Sequence, residues 1–226
     1  MSFDNVAWRP MHYSISVEIG SDFADAEPGS PMHWQHNNVG FWSREEARLL
    51  RDIAAQFRGH WIEIGSHTGW TAAQIVAAGA TVTTIDPMFA SPSFFQQFAR
   101  NMNAEMCAGQ VIPWPGQSDW YFEHWVDHRF IGGLIDGDHD HPHPLRDAIN
   151  CYRQLEQRGV IVLHDFRGPG PWAAGEYLAK QGMQYKIYGS VHMVAVFWRG
   201  EFTPPPEIVE GNTNWTMNYG LPEWMK

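Results

Sequence analysis

The chain has 226 residues, 44% of them hydrophobic, which is enough for one domain of ordinary size with a substantial buried core. Its formal net charge of −10 and pI near 5.6 argue against a dedicated binder of nucleic acid or of a membrane surface, because phosphate-rich partners require clustered Lys and Arg, so small molecules are the expected partners. No apolar stretch approaches the roughly 20 residues that cross a bilayer, MSFDNVAWRP has no basic region leading into an apolar run, and Cys107 and Cys151 are too few for a disulfide framework, so a reducing cytoplasm is the simplest setting.

Residues 1–40 are rich in Pro, Gly, His and aromatics without lasting periodicity, and they read as an irregular arm or lid able to cover a pocket. Ser43 followed by Glu46 fits a capping box, and Ala47, Leu50, Ile53, Ala54 and Phe57 recur at helical spacing until Gly59. Strand, helix and strand then follow as WIEI (61–64), WTAAQIVAAGA and the β-branched TVTTID (81–86). Next come a helix around PSFFQQFARNMNAE, a strand near QVIPW, a turn at PGQSDW, a helix near WYFEHWVD and the strand FIGGLID (130–136). Leu145, Ala148, Ile149, Tyr152 and Leu155 line a helix that stops at Gly159, after which GVIVLHD supplies another buried strand. FRGPGPW (166–172) reads as a loop beside an acceptor, with Trp172 as a pocket wall or a packing residue. MQYKIYGS and HMVAVFWRG are two strands joined by a tight turn and predict an antiparallel pair at the end of the sheet. Residues 201–226 are Pro-rich and read as an extended C-terminal arm suited to self-association. Repeated strand–helix units predict an α/β fold with a doubly wound, mostly parallel sheet over residues 41–200.

Such sheets bind ligands beyond the carboxyl ends of their strands, where strand order reverses. The chemistry-bearing residues fall there: Glu63, Gly65, Ser66, His67, Thr68 and Gly69 after the first strand, Asp86 after the second, Asp136 to His139 after the fourth, and His164 and Asp165 after the fifth. EIGSHTGWT lets the backbone pass close to a ligand before a helix begins, although it is not the G-x-G-x-x-G dinucleotide fingerprint. Asp86 lies at the distance from this turn at which an acidic side chain accepts hydrogen bonds from ribose hydroxyls, so an adenosine-type ligand fits both features.

WIEIGSHTGWTAAQIVAAGATVTTIDP resembles the first two motifs of the class I S-adenosylmethionine-dependent methyltransferases. FIGGLIDGDHDHPHPLRDAINCYRQLEQRGVIVLHDF resembles the later half of the branch that has an I-D-G-D-H stretch and an H-D pair after the next strand. The resemblance spans about residues 40–200 and implies a Rossmann-like, seven-stranded sheet ending in an antiparallel hairpin. It implies further that Gly65, Ser66 and Gly69 line the methionine part of the cofactor with Glu63 nearby. Asp86 then holds the ribose, Met88 and Ser118 flank the adenine, and Asp136 lies beside the cofactor. O-methyltransferases of this type bind magnesium through residues at the positions of Asp136, His164 and Asp165, often with two carboxylates where this chain has His164 and Asp165. The implied activity is methyl transfer to a small molecule, at a hydroxyl oxygen.

IDGDHDHPHPLRD (135–147) packs four carboxylates and three histidines into thirteen positions. Methyl transfer is an in-line displacement that needs a positioned nucleophile and a base for its proton. His139 is the first choice for that base, because neutral imidazole is available near pH 7, and Asp138 is the second. Asp136, Asp165 and His164 can share a divalent cation, or the same groups can bind substrate without one. His139, His141 and His143 can suggest zinc or non-haem iron, yet side chains separated by proline need not converge, and the last two read as turn histidines. Arg146 and Asp147 read as a solvated helix start. Two other readings remain at this level: a metal-dependent hydrolase or oxygenase built on the 136–165 cluster, and a binding protein that keeps the fold without catalysis. Homo-oligomer formation is a further expectation.

Overall fold

Ser43 starts the first helix as the sequence predicts. Its hydroxyl accepts from the Glu46 backbone N–H, and the Glu46 carboxylate accepts from the Ser43 N–H, opening α1 (Arg44–Gln56). Every member of the predicted stripe from Ala47 to Phe57 is buried, and the larger side chains each contribute about 1.5–3 kcal/mol through burial. The computed structural model describes residues 42–104, 109–124, 129–190, 192–208 and 222–225. The arm read over residues 1–40, including His33 and His36, lies outside them, as do residues 209–221 of the C-terminal arm. Residues 201–208 lie against the sheet end: the Pro205 carbonyl accepts from Lys186 Nζ at 2.8 Å and Tyr188 Oη at 3.0 Å.

The chain then runs β1 (His60–Ile64), α2 (Trp70–Ala77), β2 (Thr81–Ile85), α3 (Pro92–Ala104), β3 (Val111–Trp114), α4 (Ser118–His124), β4 (Phe130–Ile135), α5 (His143–Gln154), β5 (Leu155–Leu163), α6 (Pro169–Lys180), β6 (Gln184–Tyr188) and β7 (Val194–Arg199). The seven strands form one sheet in the order β3-β2-β1-β4-β5-β7-β6. The first five pair in parallel, and β7 inserts antiparallel between β5 and β6, so the predicted terminal hairpin is present. Helices α1 to α3 cover one face around Trp61, Leu134 and Val162, while α4 to α6 cover the other around Ile62, Phe130 and Ile161. Strand order reverses between β1 and β4, which places a crevice at their carboxyl ends.

Two predicted boundaries differ. The segment from Pro169 is the helix α6 rather than a loop, and Trp172 sits in its first turn with its indole N–H donating to the Phe166 carbonyl at 3.3 Å. Proline at the first position presets the helical φ, while the Gly-Pro-Gly-Pro run mimics loop composition. Strand β5 begins at Leu155, four residues before Gly159, because Phe130 pairs with Leu155 and the Arg199 guanidinium binds the Leu155 and Glu156 carbonyls.

The glycines of β4 are set by packing. A Cβ on Gly132 would lie 2.1 Å from the Trp61 ring, which is fully buried and donates to the Phe57 carbonyl at 2.9 Å. Overpacking of this kind costs about 1–3 kcal/mol, so Gly132→Ala is expected to lower unfolding stability by about 3 kcal/mol, as measured by denaturant titration.

Candidate active site

The carboxyl ends of β1, β2, β4 and β5 open into a cavity of about 600 Å³, lined by Gly65, Ser66, His67, Asp86, Met88, Ser118, Asp136, His139 and Asp165 among others. The turn after β1 is built by close approach. A Cβ on Gly65 would meet the Asp136 carbonyl oxygen at 2.1 Å, and its φ of +85° lies in the left-handed region, so only glycine lets the ends of β1 and β4 come together. Asp86 fixes the same turn from β2. One carboxylate oxygen accepts from the His67 N–H at 2.7 Å, and the other accepts from the Met88 N–H at 2.8 Å. Each carboxylate oxygen keeps a further lone pair for a ligand hydroxyl.

Glu63 and Gly69, both predicted at the cofactor, stand behind the wall. Gly69, at φ +93°, packs against Phe98 and Met102 of α3. Glu63 is fully buried and accepts from the hydroxyls of Thr71 and Thr84. Burial raises its carboxyl to about 7, with the Thr71 and Thr84 hydroxyls opposing the shift. Because the folded value lies above the ordinary carboxylate value, the protein gains stability from this group at low pH and loses it as pH rises from about 4.5 to about 7. Between pH 5 and pH 8 the wild type is therefore expected to lose roughly 3 kcal/mol relative to Glu63→Gln in parallel denaturant titrations.

Ser118 caps the opposite rim through an unpredicted partner. Its hydroxyl donates to Asp147, which is buried on the cavity wall rather than solvated at the helix start. Burial pushes Asp147 up to about 6, opposed by the Ser118 bond and reinforced by Asp119. Arg146 does face solvent, 3.4 Å from Asp119.

Asp136, His139, His164 and Asp165 converge at the ends of β4 and β5. His139 Nε2 lies 3.5 Å from Asp136 Oδ1 and 3.6 Å from Asp165 Oδ2. His164 Nδ1 lies 2.9 Å and 3.6 Å from the same two oxygens. Burial opposes charge on Asp136, but His164 and His139 outweigh it and hold the carboxyl well below its usual range. The Asp136 hydrogen bond raises His139 above ordinary imidazole, despite partial burial. Asp165 adopts φ +49°, a left-handed turn after β5, and its second oxygen pairs with Arg167.

Trp42 and Glu46, which lie before the alternating strands, also join this cluster. The Trp42 indole N–H donates to Asp136 Oδ2 at 2.8 Å, and its ring stacks on His164 at 4.3 Å between centroids. Glu46, read only as a cap, also accepts from the backbone N–H and Nδ1 of His192. It faces His164 Nε2 at 3.6 Å with both side chains fully buried. The predicted second base, Asp138, is exposed on the cavity rim and bonded to the Asp140 N–H at 2.9 Å. His141 is exposed in the turn, and His143 lies 3.8 Å from Asp138, so the three turn histidines do not form a ligand set.

Residues 62–166 match the family described as "Methyltransferase domain". Among curated proteins none matches the chain by sequence. A Staphylococcus aureus protein assigned as a caffeoyl-CoA O-methyltransferase superimposes with a TM-score of 0.60 at 17% identity, covering 71% of this chain and 86% of that one. TomG of Streptomyces achromogenes, an O-methyltransferase of tomaymycin synthesis solved with SAM, gives 0.59 at 15% identity, with 72% and 83% covered. An O-methyltransferase of Bacillus cereus solved with SAH gives 0.58 at 13% identity, with 70% and 82% covered. The matched segment, residues 62–166, contains Gly65, Asp86, Asp136, His139 and Asp165 of the cavity wall and is similar to the methyltransferase domain family, while the solved structures share the fold.

Proposed function

We propose that the chain transfers the methyl group of S-adenosylmethionine to a hydroxyl oxygen of a small molecule. The observation that carries this reading is the convergence of Asp136, His139 and Asp165 in the same cavity as the glycine turn and Asp86. Gly65 and Ser66 would line the methionine part of the cofactor, Asp86 would accept from the ribose hydroxyls, and Met88 and Ser118 would flank the adenine. Glu63 and Gly69 would act from behind, by shaping the turn. His139 would take the acceptor's proton, with Asp138 beside it on the rim.

The resemblance implies a magnesium ion held by Asp136, His164 and Asp165. His164 Nδ1 lies 2.9 Å from Asp136 Oδ1 and 3.6 Å from Asp165 Oδ2, so the residues fit a divalent cation. Such an ion polarises an acceptor hydroxyl and lowers the cost of its deprotonation. The chain's acidic balance argues against a nucleic-acid acceptor. Among the described residues no helix is long and apolar enough to cross a membrane, and Cys151 is a buried free thiol, in keeping with a reducing, cytoplasmic setting.

The test is a screen of hydroxylated small molecules with methyl-labelled S-adenosylmethionine, read by mass spectrometry. Label recovered as a methyl ether supports the reading. Label recovered only on nitrogen, carbon or sulfur acceptors contradicts the oxygen assignment.

A further inference from the structure

The Asp/His cluster is built in two tiers. In the inner tier, Asp136 Oδ1, Asp165 Oδ2, His164 Nδ1 and His139 Nε2 face one another, and the four imidazole–carboxylate separations are 2.9, 3.6, 3.5 and 3.6 Å. Ligand atoms around a tetrahedral ion with bonds of about 2.0–2.1 Å stand roughly 3.3–3.5 Å apart. Adjacent ligands of an octahedral magnesium ion with similar bonds stand roughly 2.9 Å apart. Three of the four separations, at 3.5, 3.6 and 3.6 Å, lie nearer the wider spacing than the narrower one.

The outer tier holds the atoms that point away. Asp136 Oδ2 accepts from the Trp42 indole N–H at 2.8 Å, and Asp165 Oδ1 accepts from Arg167 at 2.5 Å. His164 Nε2 faces the fully buried Glu46 carboxylate at 3.6 Å. Glu46 is itself anchored by N–H donors from Ser43 and His192. An imidazole whose second nitrogen faces a carboxylate, beside carboxylates whose second oxygens are hydrogen-bonded, is the arrangement that orients ligands around a metal.

We propose that Asp136, His164, Asp165 and His139 form a site for a nitrogen-accepting divalent ion of the zinc class rather than magnesium, with Glu46 and Trp42 as the outer partners that set its affinity. Two imidazoles favour such ions, whereas magnesium is bound through oxygen. His164 is the buried nitrogen ligand, and His139, whose side chain is 45% exposed, closes the site from the cavity side. This rests on the methyltransferase reading for its role: the ion would polarise an acceptor hydroxyl, and His139, on the cavity side, would be the group that takes that hydroxyl's proton. The proton passes from that hydroxyl to the imidazole, and the acceptor oxygen then forms the bond to the methyl carbon as the bond from that carbon to sulfur breaks.

The test uses the full chain, stripped with chelator and titrated with Co²⁺, with the visible absorption of the bound ion as readout and Mg²⁺ and Zn²⁺ as competitors. One Co²⁺ per chain is expected, displaced by Zn²⁺ and held roughly 100-fold more tightly than Mg²⁺. Glu46→Gln is expected to weaken Co²⁺ binding by about 10–100-fold. Trp42→Phe keeps the ring over His164 and removes only the N–H donor, so it tests the outer tier even if Glu46→Gln fails to fold. His164→Asn is expected to abolish the spectrum. Equal competition by Mg²⁺ overturns the proposal, as does a wild-type protein that binds no Co²⁺, since His164 would then be an imidazolium shared by Asp136 and Glu46. Titration of S-adenosylhomocysteine into the same samples separates the two readings: Co²⁺ binding without it leaves the ion site and removes the methyltransferase role, and the converse removes only the ion site.

Discussion

His139→Ala is expected to lower kcat by about 10²–10⁴-fold, the range for loss of a positioned general base, while S-adenosylhomocysteine affinity stays within about twofold. The imidazole stands between the Asp136 and Asp165 carboxylates, 3.5 Å and 3.6 Å away, which fixes the ring and favours its protonated state once the acceptor proton arrives. Neither carboxylate can substitute for it. Asp136 is tied to Trp42 and His164, and Asp165 to Arg167. Single-turnover measurements with saturating cofactor check this, and an unchanged rate would move the proton-transfer role to Asp138.

Asp86→Ala is expected to weaken S-adenosylhomocysteine binding by about 100-fold, or roughly 2.7 kcal/mol. Its carboxylate holds the His67 and Met88 backbone N–H groups, and hydrogen bonds to a charged partner are worth about 1.5–3 kcal/mol each. Removal therefore loosens the glycine turn and deletes the acceptor for ribose hydroxyls together. Asp86→Asn keeps one oxygen acceptor and should fall between wild type and Ala. Calorimetry on the three proteins orders them, and equal affinities would exclude Asp86 from the cofactor site.

Local signals were sufficient where a residue's neighbours in sequence are also its neighbours in space. The capping box of Ser43 and Glu46, the stripe of α1 and the apolar strands β1, β2, β4 and β5 all follow from spacing and propensity. Helix α6 was hidden because its opening Pro-Gly-Pro has the composition of a loop, although Gly170 is needed there: a Cβ would meet the His139 carbonyl oxygen at 2.1 Å. Asp147 looked solvated beside Arg146, since nothing in α5 reveals that Ser118 of another helix buries it. The outer tier of the Asp/His cluster was the least accessible. Glu46 already had a local role as a cap, and its bond to His192 joins residues 146 positions apart. Only the position of α1 over the ends of β4 and β5 brings Trp42 and Glu46 onto His164.

The central claim is that the cavity beyond β1, β2 and β4 binds the adenosyl cofactor. Calorimetric titration of S-adenosylhomocysteine into the wild-type protein tests it most directly. One saturable site of about micromolar affinity, near −8 kcal/mol, is the predicted result. Absence of saturable binding would contradict it.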